Sequence, residues 1–346
     1  MGTKLKEITL KKEISIEDMA GKRLVVDSYN VMYQFLTTIR MKDGSLLTDS
    51  KGNVTSHLTG LFSRSMNLMQ RGVKLAFVFD GKAPLLKERE RQRRRSIKEE
   101  AAKEYEKAKE EEDVEAMKKY AARTSRLTPE MVEDAKKLIK AMGMPVIQAP
   151  SEGEAQAAHI VRQGHAYAEI SQDFDCMMFG VPRLIRNLTV SERRKLPGKM
   201  AFVEVKPELI DLEENLRNLG ITQDQLIALC MLMGTDYNPN GIKGIGPKNA
   251  LKLVKEHKDF SKLFSEVKWK EHFDLPWEDV FDTIKKMPVT DSYDLEWKEP
   301  DRERLIRLLC DEHDFSLKRV EDSLEKLGKE KEKKTQKGLG DFFGKR

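Results

Sequence analysis

Residues 150–180 begin with PSEGEAQAAH (150–159) and end with EISQDFDCMMFG (169–180), and they place four carboxylates in two pairs. Glu152 and Glu154 form the first pair, and Asp173 and Asp175 form the second. Each pair follows an apolar run with the length of a buried strand, residues 144–147 and 166–170. The carboxyl ends of parallel strands open into one crevice. We therefore predict an α/β fold with a mostly parallel central sheet flanked by helices, in which both pairs face that crevice.

Two earlier apolar runs end in the same way. Residues 24–26 lead directly into Asp27, and residues 75–79 lead into Asp80. Two carboxylates ~4 Å apart repel by about 4 kcal/mol at an effective dielectric constant near ~20. A larger cluster therefore needs cations, and oxygen ligands favour magnesium or manganese. The pattern predicts a two-metal site of the kind that stabilises the attacking and leaving oxygens of a phosphodiester.

Each pair also has a purely structural interpretation. Ser151 and Glu154 fit the S-x-x-E pattern of a capping box at the start of a helix. Asp173 and Asp175 fit positions in a turn or a helix cap. The sequence leaves these alternatives open, and the repetition over four strand-like runs is what favours a metal site.

The composition bounds the class of protein. Of 346 residues, 39% are hydrophobic, which supports a folded core, and 63 basic against 58 acidic residues leave a net charge of +5. Cys176, Cys230 and Cys310 are widely spaced without CxxC spacing, so we expect reduced thiols and no zinc site. No apolar run approaches the ~18 residues of a membrane span, and no signal-peptide core is present. We expect a cytoplasmic protein without membrane contact.

Residues 82–126 form a highly charged insertion. Asp, Glu, Lys and Arg make up 26 of these 45 residues, and a helix that is polar all round does not belong to a core. Lys87, Arg91, Arg94 and Lys98 recur at helical spacing and make one basic stripe, which predicts contact with nucleic acid. The alternative is a solvated face held by i,i+4 ion pairs, which accounts better for the acidic residues 99–115.

A glycine-rich turn follows a predicted helix, residues 222–233, and Asp236, which is a further candidate ligand. Its glycines and lysines are Gly241, Gly244, Gly246, Lys243 and Lys248. The glycines allow positive φ and a close approach of backbone to a ligand. A helix start with free amides between two lysines predicts a site for a phosphate of the DNA backbone. An ordinary turn between two helices is the alternative.

The end of the chain carries apolar residues on a charged segment. Residues 325–337 have the composition of a charged linker, and QKGLGDFF (336–343) follows. Leu339, Phe342 and Phe343 fall at i, i+3 and i+4, so one helical turn gathers them into a plug for a partner's pocket.

Six motifs together identify a family. They are VVDSYNVMYQFL (25–36), FVFDGKAP (77–84), APSEGEAQAAH (149–159), SQDFDCMMFG (171–180), GTDYNPNGIKGIGPKNA (234–250) and QKGLGDFF (336–343). With these motifs the chain resembles, from its N-terminus to its tail, the archaeal and eukaryotic flap endonucleases of the structure-specific 5′ nuclease superfamily. Jointly the motifs are very specific, whereas any one alone is not.

The resemblance implies the composition of the active site. The metal-binding acids fall on Asp27, Asp80, Glu152, Glu154, Asp173, Asp175 and Asp236. Two Mg²⁺ ions, with Mn²⁺ as a substitute, are implied: one at Asp27, Asp80 and Glu154, the other at Asp173 and Asp175. Glu152 and Asp236 would act partly through water. Lys87 and Arg94 match the catalytic cations that contact the scissile phosphate.

The resemblance also implies the parts that bind DNA and a partner protein. Residues 82–128 resemble a helical arch for the free 5′ strand, and residues 222–257 resemble a helix–two-turn–helix that binds duplex, commonly with K⁺. The expected DNA contacts are Tyr33, on which a base stacks, Arg40, Arg64, Arg91, Lys98, Gly241, Lys243, Gly244, Gly246 and Lys248. Gln336, Leu339, Phe342 and Phe343 match a motif that binds the replication sliding clamp. We thus expect a nuclease domain, residues 1–328, and a flexible tail, residues 329–346.

The predicted function is that of a monomeric, magnesium-dependent 5′ flap endonuclease with 5′–3′ exonuclease and gap activity. It would hydrolyse DNA near single-strand/duplex junctions in Okazaki fragment maturation and repair. The absence of a basic extension after Phe343 favours an archaeal source. Three alternatives stay open: a superfamily relative that prefers nicks, gaps or four-way junctions, a phosphatase for small phosphoesters, and a clamp-tethered DNA-binding scaffold.

Overall fold

Two sheets carry the strands of this fold. The computed structural model describes residues 4–111, 113–121, 124–190, 193–195 and 202–343. The strands are β1 (Lys12–Glu13), β2 (Arg23–Asp27), β3 (Lys74–Phe79), β4 (Val146–Gln148), β5 (Ala168–Ile170), β6 (Arg183–Arg186), β7 (Arg193–Lys195), β8 (Phe202–Glu204) and β9 (Glu208–Asp211). The main sheet has the order β1-β9-β6-β5-β2-β3-β4, and β7 and β8 form a separate antiparallel pair.

The main sheet reverses its winding beside β2. Strands β6, β5, β2, β3 and β4 run parallel, whereas β9 is antiparallel to both β6 and β1. From β2 the chain winds to β3 and β4 on one side and later to β5 and β6 on the other. Ligand sites of open α/β sheets lie at such a reversal, beyond the carboxyl ends of the strands. The predicted mostly parallel α/β fold is confirmed.

Both faces of this sheet are buried, and this explains the apolar runs in the sequence. Val25 packs with Val78 in one core cluster, whereas Leu24, Val26 and Phe77 pack in a second cluster on the other face. Successive side chains of a strand point to opposite faces, so a strand covered on both sides is apolar at every position. All three cysteines are free thiols, as predicted.

Helices cover the sheet and extend beyond it. They are α1 (Ser28–Thr38), α2 (Ser56–Gln70), α3 (Glu88–Glu110), α4 (Val114–Ala121), α5 (Pro129–Ala141), α6 (Gly153–Arg162), α7 (Leu212–Leu219), α8 (Gln223–Met233), α9 (Pro247–Glu256), α10 (Phe260–Glu266), α11 (Trp269–His272), α12 (Trp277–Lys285), α13 (Arg302–Ile306) and α14 (Leu317–Phe343). The charged insertion consists mainly of α3 and α4, which pack on each other. Within the described ranges, no helix combines the length and apolarity needed to cross a bilayer.

The C-terminal helix corrects one prediction. Residues 325–337, predicted to be a charged linker, lie within α14. Val320 and Leu327 are buried and Leu324 packs beside them, so an i, i+4, i+7 stripe anchors the helix. The Glu325–Lys329 ion pair, at i and i+4, supports its exposed face. The side chains of Gln336, Leu339, Phe342 and Phe343 lie outside the described side chains.

Candidate active site

The carboxyl ends of β2, β3 and β5 open into a cavity of about 880 Å³. All seven predicted metal ligands line it: Asp27, Asp80, Glu152, Glu154, Asp173, Asp175 and Asp236. Four come from strand ends or the turns after them, two from the start of α6, and one from the segment after α8. The sheet therefore gathers these acids from distant parts of the chain.

The backbone and a hydroxyl hold two of these acids in place. Asp27 Oδ1 accepts a hydrogen bond from the Asn30 amide at 3.1 Å, and Oδ2 accepts one from Ser171 Oγ at 3.3 Å. Asp27 thus caps α1 as well as lining the cavity. Asp80 Oδ1 accepts a hydrogen bond from the Gly153 amide at 2.8 Å, which ties the end of β3 to the start of α6.

The pKa values of these carboxyls show how closely they are packed. Burial, followed by the charges of Asp80 and Asp173, raises the pKa of Asp27 to about 7. Burial and then the charge of Glu152 raise the pKa of Asp80 to about 6. Burial, together with Asp27, Asp173 and Asp175, raises the pKa of Glu154 well above its ordinary value. Each carboxylate opposes the ionisation of its neighbours, and a bound divalent cation would reverse that effect.

The structural interpretation of the first pair is wrong, whereas that of the second pair holds for the backbone positions. Glu152 rather than Ser151 is the N-cap of α6, and its side chain makes no capping hydrogen bond. Ser151 Oγ donates instead to the Lys82 carbonyl at 2.9 Å, so the capping-box interpretation of Ser151 and Glu154 is wrong. Asp173 is the N-cap of a short 3₁₀ helix, Phe174–Met177, which contains Asp175, but the Asp173 side chain makes no capping hydrogen bond.

Two cations of the charged insertion pair with acids of the cavity. Lys87 Nζ lies 2.6 Å from Glu152 Oε2 and 3.2 Å from Asp236 Oδ2. Arg94 Nη2 donates to Asp236 Oδ1. Burial lowers the pKa of Lys87, but the charges of Glu152, Asp236 and Glu154 outweigh burial and raise it above its ordinary value. The insertion therefore supplies positive charge to an otherwise acidic site.

The donor set fits hard divalent cations. The seven acids offer only carboxylate oxygens, which Mg²⁺ and Mn²⁺ prefer and which do not suit a structural zinc site. Among the described residues, no three of these side chains stand close enough together to hold one ion as they are arranged. Lys87 pairs with Glu152 and Asp236. Like charges on neighbouring carboxylates oppose a closer approach of those side chains to one another. Binding a cation would require the carboxylates to close around it.

Comparison with known proteins assigns the family. Residues 2–101 match the XPG N-terminal domain, and residues 143–236 match the XPG I-region. Flap endonuclease 1 of Thermococcus onnurineus is 50% identical over 346 residues, covering 100% of each chain. This chain belongs to the flap endonuclease family.

A second relative and a solved structure agree with this assignment. Flap endonuclease 1 of Pyrococcus abyssi is 50% identical over 329 residues, covering 95% of this chain and 94% of the relative. The structure of flap endonuclease-1 from Methanococcus jannaschii shares 41% identity with a TM-score of 0.75, covering 96% of this chain and 100% of that one. The family predicted from the motifs is confirmed.

Five of the predicted DNA contacts lie outside the glycine-rich turn, and only some of them line the acidic cavity. Tyr33, Arg91 and Lys98 line the acidic cavity, and Lys98 Nζ lies 4.6 Å from the centroid of the Tyr33 ring. Arg40 lies outside this lining and donates to the Gly44 carbonyl at 2.7 Å and to Ser125 Oγ at 2.5 Å. Arg64 is half-buried on α2, also outside the lining. The cavity thus accounts for three of these five residues.

The glycine-rich turn joins α8 to α9. Gly241 has φ of 60°, and a Cβ there would lie 2.3 Å from backbone of α8, so only glycine fits. Gly244 has φ of 86° with open space around it. Gly246, predicted to have positive φ, has φ of −97° because it is the extended N-cap of α9. Lys243 and Lys248 are exposed on either side.

Two residues that hold the acids in position were not predicted from the sequence. Gly153 lies so close to β3 that a Cβ on it would be 2.6 Å from Asp80 Oδ1. The hydroxyl of Ser171 donates to Asp27. The signals were present, because Gly153 separates the two glutamates and Ser171 immediately follows β5. Their roles depend on the approach of neighbouring strands, which the sequence does not show.

Proposed function

We propose that this chain is a structure-specific 5′ flap endonuclease with 5′–3′ exonuclease and gap activity. It would hydrolyse DNA phosphodiesters near single-strand/duplex junctions in Okazaki fragment maturation and repair. The observation that carries the proposal is the convergence of seven carboxylates from five segments on one cavity, where two cations of the insertion pair with them. Full-length relatives named flap endonuclease 1 support the choice of substrate.

The acids would hold two Mg²⁺ ions, with Mn²⁺ as a substitute. Asp27, Asp80 and Glu154 would form the first site, and Asp173 and Asp175 the second. The remaining acids, Glu152 and Asp236, would act partly through water. Such a pair, when bound, activates water and stabilises the charge that develops on the attacking and leaving oxygens.

Lys87 and Arg94 would act on the scissile phosphate. Negative charge accumulates on the phosphate oxygens in the transition state, and fixed positive charge in a partly buried site stabilises it strongly. Both side chains pair with cavity acids and come from the start of the insertion. An entering phosphate would compete with Glu152 and Asp236 for them.

The remaining contacts would hold DNA by shape rather than by sequence. Tyr33 offers a ring face for an unpaired base once Lys98 moves to a phosphate. Arg40, Arg64 and Arg91 would contact the strands near the junction. The Gly241–Lys248 turn, with K⁺, would bind phosphates of the duplex through Lys243, Lys248 and the amides at Gly244 and Gly246. Affinity should therefore fall steeply with salt.

A comparison of substrates tests this function. End-labelled flap, nick, gap and four-way-junction DNA, together with a small phosphoester, would be incubated with the protein with and without Mg²⁺. We expect magnesium-dependent cleavage of the flap to be the fastest reaction. Faster cleavage of nicks, gaps or junctions would favour a superfamily relative, and hydrolysis of the phosphoester alone would favour a phosphatase. Binding without cleavage would favour a scaffold.

Gly153→Ala is expected to slow flap cleavage by about 100-fold while the protein stays folded. The added Cβ would meet Asp80 Oδ1 at 2.6 Å, so the carboxylate must move, and small misplacements of catalytic groups carry costs of this size. Single-turnover cleavage in Mg²⁺ measures the effect. Gly328→Ala, where an added Cβ meets nothing within 4 Å, is the matched control. Equal rates for the two variants would show that the position of Asp80 is not critical.

The division of the chain is part of the same proposal. Residues 1–328 would form the nuclease domain, with the arch at about 82–128 and the helix–two-turn–helix at about 222–257. Residues 329–346 would form the tail, which begins within α14 beyond the buried part of that helix. Its Gln336, Leu339, Phe342 and Phe343 would bind the replication sliding clamp, and the protein would otherwise act as a monomer.

Phe342→Ala combined with Phe343→Ala is expected to weaken clamp binding by at least about 30-fold, since even one aromatic anchor often contributes about 2 kcal/mol. Basal flap cleavage should stay within about twofold. Calorimetry with the clamp and cleavage with and without it measure the two effects. Leu317→Ala, at an exposed apolar residue near the start of α14, is the control. Unchanged clamp affinity in the double variant would remove the proposed role of the tail.

A further inference from the structure

The arch helix α3 buries a glutamate, although it is one of the most polar segments of the chain. Glu90 has a relative exposure of 1%, and the other described residues that α3 buries are Ala101 and Ala108. A buried carboxylate is costly unless it is fully paired. Most charged residues of the arch are exposed to water, so the burial of Glu90 requires a separate explanation.

Two adjacent arginines pair with Glu90. Arg93 donates from Nε to Glu90 Oε2 at 2.7 Å and from Nη2 to Glu90 Oε1 at 2.9 Å, which is a bidentate salt bridge. Arg94 Nε donates to Glu90 Oε1 at 2.8 Å. Burial raises the pKa of Glu90, but these hydrogen bonds and charges outweigh burial and lower it below its ordinary value. Glu90 is therefore an ionised anchor for both guanidinium groups.

Arg94 continues from Glu90 into the active-site cavity. Its Nε contacts Glu90, and its Nη2 reaches Asp236, which also pairs with Lys87. Charges thus alternate along a line from the arch helix to the acids. An arginine has several rotatable bonds, so fixing both sides of its guanidinium removes most of its conformational freedom before substrate arrives.

We propose that Glu90 is a positioning residue, which holds the Arg94 guanidinium at the mouth of the acidic cavity so that it meets the scissile phosphate. This inference rests on the proposed flap endonuclease function. Glu90 acts through Arg94 and does not itself contact DNA. Because its negative charge lies close to a phosphate-binding site, it also repels DNA weakly. Its removal should therefore slow cleavage without weakening binding.

The test is a set of single-turnover cleavage and equilibrium binding measurements on flap DNA. Glu90→Gln is expected to lower the cleavage rate between about 10- and 100-fold. Its dissociation constant for flap DNA should be unchanged or lower, because one repelling charge is gone. Glu111→Gln makes the same charge change at the C-terminal end of the same helix, at an exposed pair outside the cavity lining, Glu111 with Lys107 at 4.0 Å, and should keep the wild-type rate.

A double-variant cycle shows whether Glu90 acts through Arg94. In the Arg94→Ala background, Glu90→Gln is expected to have little further effect on the rate, since the group it positions is absent. Glu90→Asp keeps the charge with a shorter reach and is expected to fall between wild type and Glu90→Gln. If thermal denaturation shows Glu90→Gln to be unfolded, Glu90→Asp carries the same comparison with a smaller effect.

Three results would overturn this role. The first is an unchanged cleavage rate in a folded Glu90 variant. The second is an equally large fall in the cleavage rate when Glu90→Gln is made in the Arg94→Ala background. The third is a joint fall in cleavage rate and DNA affinity, which would indicate a general loosening of the arch. Failure of the proposed function is a separate outcome, because the wild-type protein would then not cleave the flap at all.

Discussion

Asp173→Ala is expected to lower magnesium-dependent flap cleavage by at least about 1,000-fold, while flap affinity changes by less than about threefold. Asp173 lines the cavity with the other acids, and its charge is one of those that raise the pKa values of Asp27 and Glu154. Removing a ligand of the second cation should cost several kcal/mol of transition-state stabilisation, and each 1.36 kcal/mol is tenfold in rate. Phosphate contacts on the arch and the glycine turn would remain, so binding should persist.

Single-turnover cleavage and equilibrium binding of the same labelled flap measure the two quantities. Asp274→Ala is the matched control, since that aspartate is 91% exposed, makes a 3.7 Å contact with Arg89 and lies outside the cavity lining. It should cleave at the wild-type rate. Cleavage by Asp173→Ala at a rate near wild type in magnesium would refute a metal role for this residue.

Lys87→Ala is expected to lower the cleavage rate by about 100-fold or more, which is typical for the loss of one group that stabilises transition-state charge. Lys87 Nζ lies between Glu152 and Asp236, with side-chain exposure of 18%. Without it, these two acids lose a competing cation. The magnesium concentration that gives half-maximal cleavage should therefore fall in the variant, even as the maximal rate drops.

A magnesium titration of single-turnover rates gives both values from one experiment. Lys286→Ala serves as the control, because Lys286 is exposed at the C-cap of α12, pairs with Asp282 at 2.7 Å and lies outside the cavity lining. A maximal rate within about threefold of wild type would contradict a role for Lys87 at the phosphate. A fall in rate that higher magnesium restores fully would mean that Lys87 acts only on metal binding.

The acidic site was predictable because its signal is local and repeated. Asp27 and Asp80 each close an apolar run, and parallel strands buried on both faces must be apolar at every position. Strand ends were less accurate: residues 144–147 were predicted, and the hydrogen-bonded strand is Val146–Gln148. The ladder forms only where a neighbouring strand is in reach, and this depends on tertiary structure.

The interactions between elements were not predictable. Glu90 stands three and four residues before two arginines, a spacing that normally indicates an exposed ion pair, yet its side chain is only 1% exposed. The contact of Lys87 with Glu152 joins residues 65 apart in the chain. At the C-terminus, the apolar stripe of Val320, Leu324 and Leu327 is short and lies among charged residues. The sequence pattern therefore did not predict the helix that this stripe anchors.

The central claim is that the seven carboxylates bind a pair of divalent cations when the protein cleaves DNA. Anomalous diffraction at the manganese edge, from crystals of the protein with a flap duplex and Mn²⁺, tests it most directly. We expect two peaks about 4 Å apart, within bonding distance of Asp27, Asp80, Glu154, Asp173 and Asp175. Bound DNA with no manganese among these side chains would contradict the account.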